Sequence, residues 1–400
     1  AAELGADVDL VLVQSTHQHE GPDTLGQWGQ RIGQTGVVPE YQAFLIEQAA
    51  QSVAEAAAAL QPATLHAGVV DTAAPFGEKG SFNTVRDSRD PVIVEENLYT
   101  ARLAAEDGST IATLVNWGNH PEVLSSRNTA LTSDFSHYLR EGVEGGVTWQ
   151  DGAATPGTGG VAIYVNGMVG GLMTPLGVTV DTPDGSFADA SFEKAEALGK
   201  LIAELALEAD AAATPATDPS VSLRAAEVFI PVENFAFQAM FLIDVFDRTI
   251  YNYDETRDID DTNIPEVLTE VDLITVGPIT MLSVPGELAP ELAIGGYDGS
   301  RVSSDVVDFI DPDNSHPPDI SQAPEGPYFL DLMGNEHNWI IGLGNDELGY
   351  LLPPYDYVLD ETTPYLSEAP GDHYEETNSL GPQTVPILQD LVEQITSWTP

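Results

Sequence analysis

A mixed α/β fold, with a β-sheet core flanked by helices, is what this sequence predicts. Three observations carry that expectation. Short β-branched apolar runs alternate along the chain with amphipathic, alanine-rich segments. Apolar residues make up 42% of the 400 positions, enough to fill a core and to exclude wholesale disorder. No run approaches the ~18 apolar residues of a membrane-spanning helix.

Taken in order, Asp7–Thr16 (DVDLVLVQST) reads as a buried strand that runs into His-Gln-His-Glu-Gly-Pro. Glu40–Leu60 carries Tyr41, Phe44, Leu45, Val53, Ala56 and Leu60 at helical spacing. Leu98–Asn116 reads as strand, turn, strand, with Asp107-Gly108 as the hairpin signal. Asp134–Glu144 is a helix capped by Ser133 or Asp134, and the Gly/Thr/Ala-rich stretch Val147–Gly160 is a loop. A short strand, Val161–Val165, ends in Asn166-Gly167. Ala188–Leu207 is a second amphipathic helix, with Phe192, Ala195, Leu198, Ile202 and Leu205 on its apolar face, and Ala211–Ser220 is a connector. Strands follow near Ala226–Val232 and Leu273–Val284, with an acidic loop from Asp254 to Asp272 between them. Asp305–Pro327 is a long excursion rich in Asp and Pro, and the last helix covers about Val385–Trp398. No internal repeat and no boundary for a second domain is evident, so one domain over residues 1–400 is expected.

Charge narrows the function. Sixty-four Asp+Glu against 13 Lys+Arg give a formal net charge of −51. Such a surface excludes nucleic acid as a partner and disfavours anionic membranes. It attracts cations and suits a salty, extracellular or periplasmic setting for a secreted protein. With no cysteine, neither a disulfide nor a thiolate metal site is possible.

Four motifs sit where a strand meets a loop, the usual place for working side chains. The first is Ser15–Pro22, with His17 and His19 on one side of an extended chain. The second is Asn116–Pro121, with His120. The third is Ser283-Val284-Pro285-Gly286-Glu287. The fourth runs from Gly342-Leu343-Gly344-Asn345 to Tyr350, with Tyr374 and Gly381-Pro382 beyond. Two histidines, a glutamate and a tyrosine make an N/O donor set for which zinc is the natural occupant, leaving a position for water. Calcium or magnesium at a structural site is a further expectation, with Asp311-Pro312-Asp313-Asn314 as a candidate loop.

The ordered set His-x-His-x-Gly-Pro, Asn-Trp-x-x-His-Pro, Gly-rich turn, Val-Pro-Gly-Glu, Leu-x-Asn-(x)4-Tyr and Tyr-Glu…Gly-Pro resembles the neutral, non-lysosomal ceramidases. These are zinc amidases that cut N-acylsphingosine into fatty acid and sphingosine. The resemblance implies a neutral-ceramidase-like catalytic domain with His17, His120, Glu287 and Tyr350 as zinc ligands. It further implies His19 as the residue that polarises the scissile carbonyl, and Tyr374 as a donor to the oxyanion. Arg86 matches the family's arginine, with Arg89 as a close competitor. In the segment Gly167–Pro175 the family's Gly-Asp-Val-Ser-Pro is altered, and Thr174 stands where its serine would be. The resemblance also implies that the N-terminal part of the family's domain and its C-terminal immunoglobulin-like domain are missing. The expected activity is zinc-dependent hydrolysis of ceramide or a related lipid amide. The alternatives are another amide or ester at the same centre, or a non-catalytic extracellular surface or filament protein that retains the fold.

Overall fold

The computed structural model describes residues 9–31 and 33–398. Two β-sheets form its centre. The first orders its strands as Thr214–Pro215, Ala63–Asp71, Asn97–Ala105, Thr110–Trp117 and Val161–Asn166. The second orders Val221–Pro231, Glu266–Val276, Ile279–Ser283 and His337–Ile341. Most pairs are antiparallel. Within these two sheets two are parallel: Thr110–Trp117 beside Val161–Asn166, and Ile279–Ser283 beside His337–Ile341.

Side-chain alternation shows how the layers stack. Leu65, Ala67, Tyr99, Ala101 and Leu114 on one face of the first sheet meet Ile279, Met281 and Trp339 of the second. The opposite face of the first sheet, at Val115 and Leu98, packs under helices Asp134–Gly145 and Phe192–Ala212. The opposite face of the second, at Leu282 and Ile340, packs under helix Thr384–Ser397. The result is a helix–sheet–sheet–helix stack, in agreement with the predicted mixed α/β class.

The structure departs from the sequence reading at several points. Asp7–Thr16 is not a sheet strand: its described part is extended and makes one isolated bridge, Gln14 to Gly344, while Asp7 and Val8 lie outside the described residues. Helix Pro39–Ala58 forms, but none of its residues is buried. The helix itself is as its spacing predicts; its alanines and glutamates supply helical propensity, and no partner surface among the described residues covers its apolar side chains. In helix Phe192–Ala212, Ala195, Leu198, Ile202 and Leu205 are buried, whereas Phe192 is exposed in the first turn. The run Leu273–Val284 is two strands folded at Gly277, whose φ of 55° provides the turn. The acidic stretch Asp254–Asp272 is a loop only to Pro265. From Glu266 onward it is a strand, with Val267 and Val271 buried and acids on alternate positions. Val147–Gly160 also holds a two-residue pairing, Val147–Thr148 with Ala154–Thr155.

Candidate metal centre

The two parallel pairs aim their C-terminal ends at a common place, where α/β sheets usually place ligands. Trp117 lies beside Asn166 and Ser283 beside Ile341. Polar contacts lock these ends together. Asn116 donates its side-chain amide to Val165 O at 3.1 Å and Ile340 O at 2.9 Å, tying one sheet to the other. Gly342 N donates to Asn166 O. The N-terminal segment lies across this junction. Val13 N donates to the Asn345 side chain at 2.7 Å, Asn345 N donates back to Val13 O, and Asn166 donates to Thr16 O at 3.0 Å. At His17 the backbone turns to φ 63°, a left-handed conformation uncommon for a residue with a Cβ and often found at functional sites.

Three imidazoles meet there. Ring centroids are 4.8 Å apart for His17 and His19, 4.7 Å for His17 and His120, and 5.4 Å for His19 and His120. Glu287 lies below them. Its Oε2 stands 3.0 Å from His120 Nε2 and 3.3 Å from His17 Nε2. Two donors at zinc-ligand distance and near-tetrahedral angle are about 3.4 Å apart, so this spacing fits one shared ion. His120 Nδ1 donates to Met173 O at 2.6 Å, which leaves Nε2 to face the cluster, as a donor to Glu287 when the ring is charged and as a metal ligand when it is neutral.

Electrostatics follow from this crowding. Burial opposes charge on both partners, but His17 and His120 hold the Glu287 carboxyl well below its ordinary range, and Glu287 raises His120. His19 is at the rim. Loss of water around its ring, then the neighbouring His17 and His120, push it down to about 3, so it is neutral. Strand pairing sets Tyr350 directly beside Glu287. Burial and then the Glu287 charge push the Tyr350 phenol well up. Tyr374, partly exposed, sits edge-on to Tyr350 at 6.2 Å and is raised to about 12 by burial and by Glu287.

Of the remaining predicted residues, Thr174 is buried and donates its hydroxyl to Glu122. Glu122 in turn stands 3.7 Å from His19 Nδ1. The sequence reading did not single out Glu122; its place two residues after His120 was the only available signal. Arg86 is paired with Thr174 across a two-residue ladder, but its Nε donates to Leu176 O at 2.7 Å. Glu347, also not singled out, brings a carboxylate oxygen near His17 and Glu287.

Arg89, the competing arginine, is 2% exposed and lies among carboxylates. It donates to Glu375 at 2.9 Å, to Glu376 at 2.8 Å and to Asp356 at 3.1 Å. The short helix Tyr374–Thr377 begins with Tyr374, so this network fixes where that tyrosine stands. Against the cost of burial, His373 and Arg89 pull Glu376 down to about 2. Glu291, buried nearby, moves the other way, to about 7, chiefly through burial. A raised carboxyl binds its proton more tightly when folded, so stability falls as pH climbs from its unfolded value near 4.5 through 7. Glu291→Gln is therefore expected to stabilise the chain by on the order of 2–3 kcal/mol at pH 8 and to leave it unchanged below pH 4. Urea titrations at the two pH values measure this.

The predicted Gly-rich turn has a packing reason. A methyl group on Gly170 would stand 2.4 Å from Ala289 N and 2.5 Å from Glu287 O. Gly170→Ala is expected to cost about 1–3 kcal/mol and to displace the strand that carries Glu287. Thermal midpoint and zinc content, measured together, check both effects.

No family model and no curated protein matches the chain. Solved structures do. One is described as neutral ceramidase from Pseudomonas aeruginosa, at 13% identity and TM-score 0.63, over 96% of this chain and 60% of that one. Another, described as ceramidase complexed with C2, matches at 13% identity and TM-score 0.61, over 96% and 61%. The chain thus spans about 60% of the length of the ceramidase structures it matches. At this identity the likeness is one of fold: the chain has the mixed α/β fold of the neutral ceramidases.

Proposed function

We propose that this protein is a zinc-dependent amidohydrolase of ceramidase type, acting outside the cytoplasm on ceramide or a related N-acyl amide. The carrying observation is the convergence of His17, His120 and Glu287 at the parallel strand ends of a ceramidase-like fold. His17, His120, Glu287 and Tyr350 hold the ion. Zinc held there supplies Lewis acidity and makes water nucleophilic at neutral pH.

The other roles fall to the chain's own groups. His19, neutral, donates its single N–H to the scissile carbonyl. Tyr374 keeps its proton at neutral pH and donates its O–H to the oxyanion as the carbonyl carbon becomes tetrahedral. Glu122, fixed by the Thr174 hydroxyl, accepts the proton that water gives up and returns it to the leaving amine. Arg86 orients Thr174 through their shared ladder. A cavity of about 20 Å³ between the sheets, lined by Trp117, Gly118, Gly167 and Met173 among others, has room for a single water. No helix among the described residues is long and apolar enough to cross a membrane.

The test uses a fluorescent short-chain ceramide and a simple N-acyl amide. Hydrolysis is expected to stop with chelator, to return with zinc, and to fall about 100-fold in kcat for Tyr374→Phe. A chain that binds zinc and cleaves neither compound supports the alternative reading, a surface or filament protein, which the net charge of −51 also suits.

A further inference from the structure

Glu347 belongs to none of the four predicted ligands. It lies in the turn that leads to Tyr350, and its Oε1 accepts the Gly349 N–H at 2.8 Å. Its Oε2 is sealed from solvent and has no hydrogen-bond partner among the described residues. A buried carboxylate oxygen left bare costs at least about 1–3 kcal/mol, so the position calls for a partner. The neighbours identify its nature. Glu347, Glu287 and His17 each bring a donor atom within 4.8 Å of the others. Glu287 has His17 and His120 as its ion-pair partners, with no Lys or Arg among the described residues. Two carboxylates set side by side on two imidazoles, without a basic side chain, are completed by a cation.

We propose that Glu347 is an additional ligand of the same divalent ion, an assignment that rests on the metal reading above. The donor set then holds two imidazoles and two carboxylates, with the Tyr350 phenol beside them. Two carboxylates balance the charge of a divalent ion. Five protein donors exceed the four of a closed zinc tetrahedron. Such a set suits first-row ions that accept five or six donors, and it hardens the site towards oxygen-preferring metals.

Cobalt(II) is the probe, because its visible absorption weakens as coordination number rises. The metal-free full chain is titrated with Co2+ as wild type, Glu347→Gln, Glu347→Asp and the surface control Glu361→Gln. Glutamine keeps the bond from Gly349 and removes only the second carboxylate oxygen. The expected result is one Co2+ per chain in all four. Glu347→Gln binds at least tenfold more weakly with stronger visible bands, Glu347→Asp falls between, and Glu361→Gln matches wild type. Unchanged affinity and spectrum in Glu347→Gln overturn the assignment and leave the metal reading standing. Absence of Co2+ binding by wild type overturns both. Thermal midpoints of the metal-free chains verify folding, and should Glu347→Gln not fold, the affinity and spectrum of Glu347→Asp decide by the same criteria.

Discussion

A His120→Ala chain is expected to lose its zinc on dialysis, while the wild-type chain retains about one ion. Changes to groups that merely orient a metal ligand already cost 10–100-fold in affinity. Removing His120, the wholly buried ligand proposed above, is expected to cost more, because it also pairs with Glu287 and bonds to Met173 O. His137→Ala is the control: that histidine is half exposed on helix Asp134–Gly145, against Glu141. Metal analysis after dialysis gives the answer directly. Equal zinc in His120→Ala and wild type would remove the metal centre, and the hydrolase proposal with it.

The second large effect is structural. Arg89→Met is expected to destabilise the fold by about 3–5 kcal/mol, the cost of stranding buried carboxylates whose partner is gone. That is a large share of the roughly 5–15 kcal/mol that holds a typical domain folded. Arg89→Lys is expected to recover little, since an ammonium cannot span Asp356, Glu375 and Glu376 with one planar fork. The pH dependence has a definite sign. Glu376, depressed to about 2 in the folded wild type, contributes stability above its unfolded value near 4.5 and loses it as pH falls through 2. The gap between Arg89→Met and wild type therefore narrows across that acid window. Urea unfolding at pH 7 and pH 3 measures it.

Much of this was legible in the sequence, for identifiable reasons. The hairpin at Asp107-Gly108 and the strands ending at Trp117 and Asn166 announce themselves by local chemistry. The histidines stood out because there are only eight in the chain. Glutamate carries no such information among 64 acids, and so Glu122 and Glu347 were hidden until the fold set them beside His19 and His17. Arg86 and Arg89 are three positions apart, and only tertiary burial separates the one bonded to a backbone carbonyl from the one enclosed by carboxylates. The apolar spacing in Pro39–Ala58 correctly marks a helix but not a buried one, because helical periodicity records propensity as well as burial.

The reciprocal bonds between Val13 and Asn345 join positions 332 residues apart. Closing so long a loop offers little return until both sheets are already assembled. The histidine-bearing segment is therefore expected to dock last in refolding. Ion capture should lag behind the tryptophan signal that reports the closing of Trp117 and Trp339 into the core, so that a loaded centre certifies a finished chain.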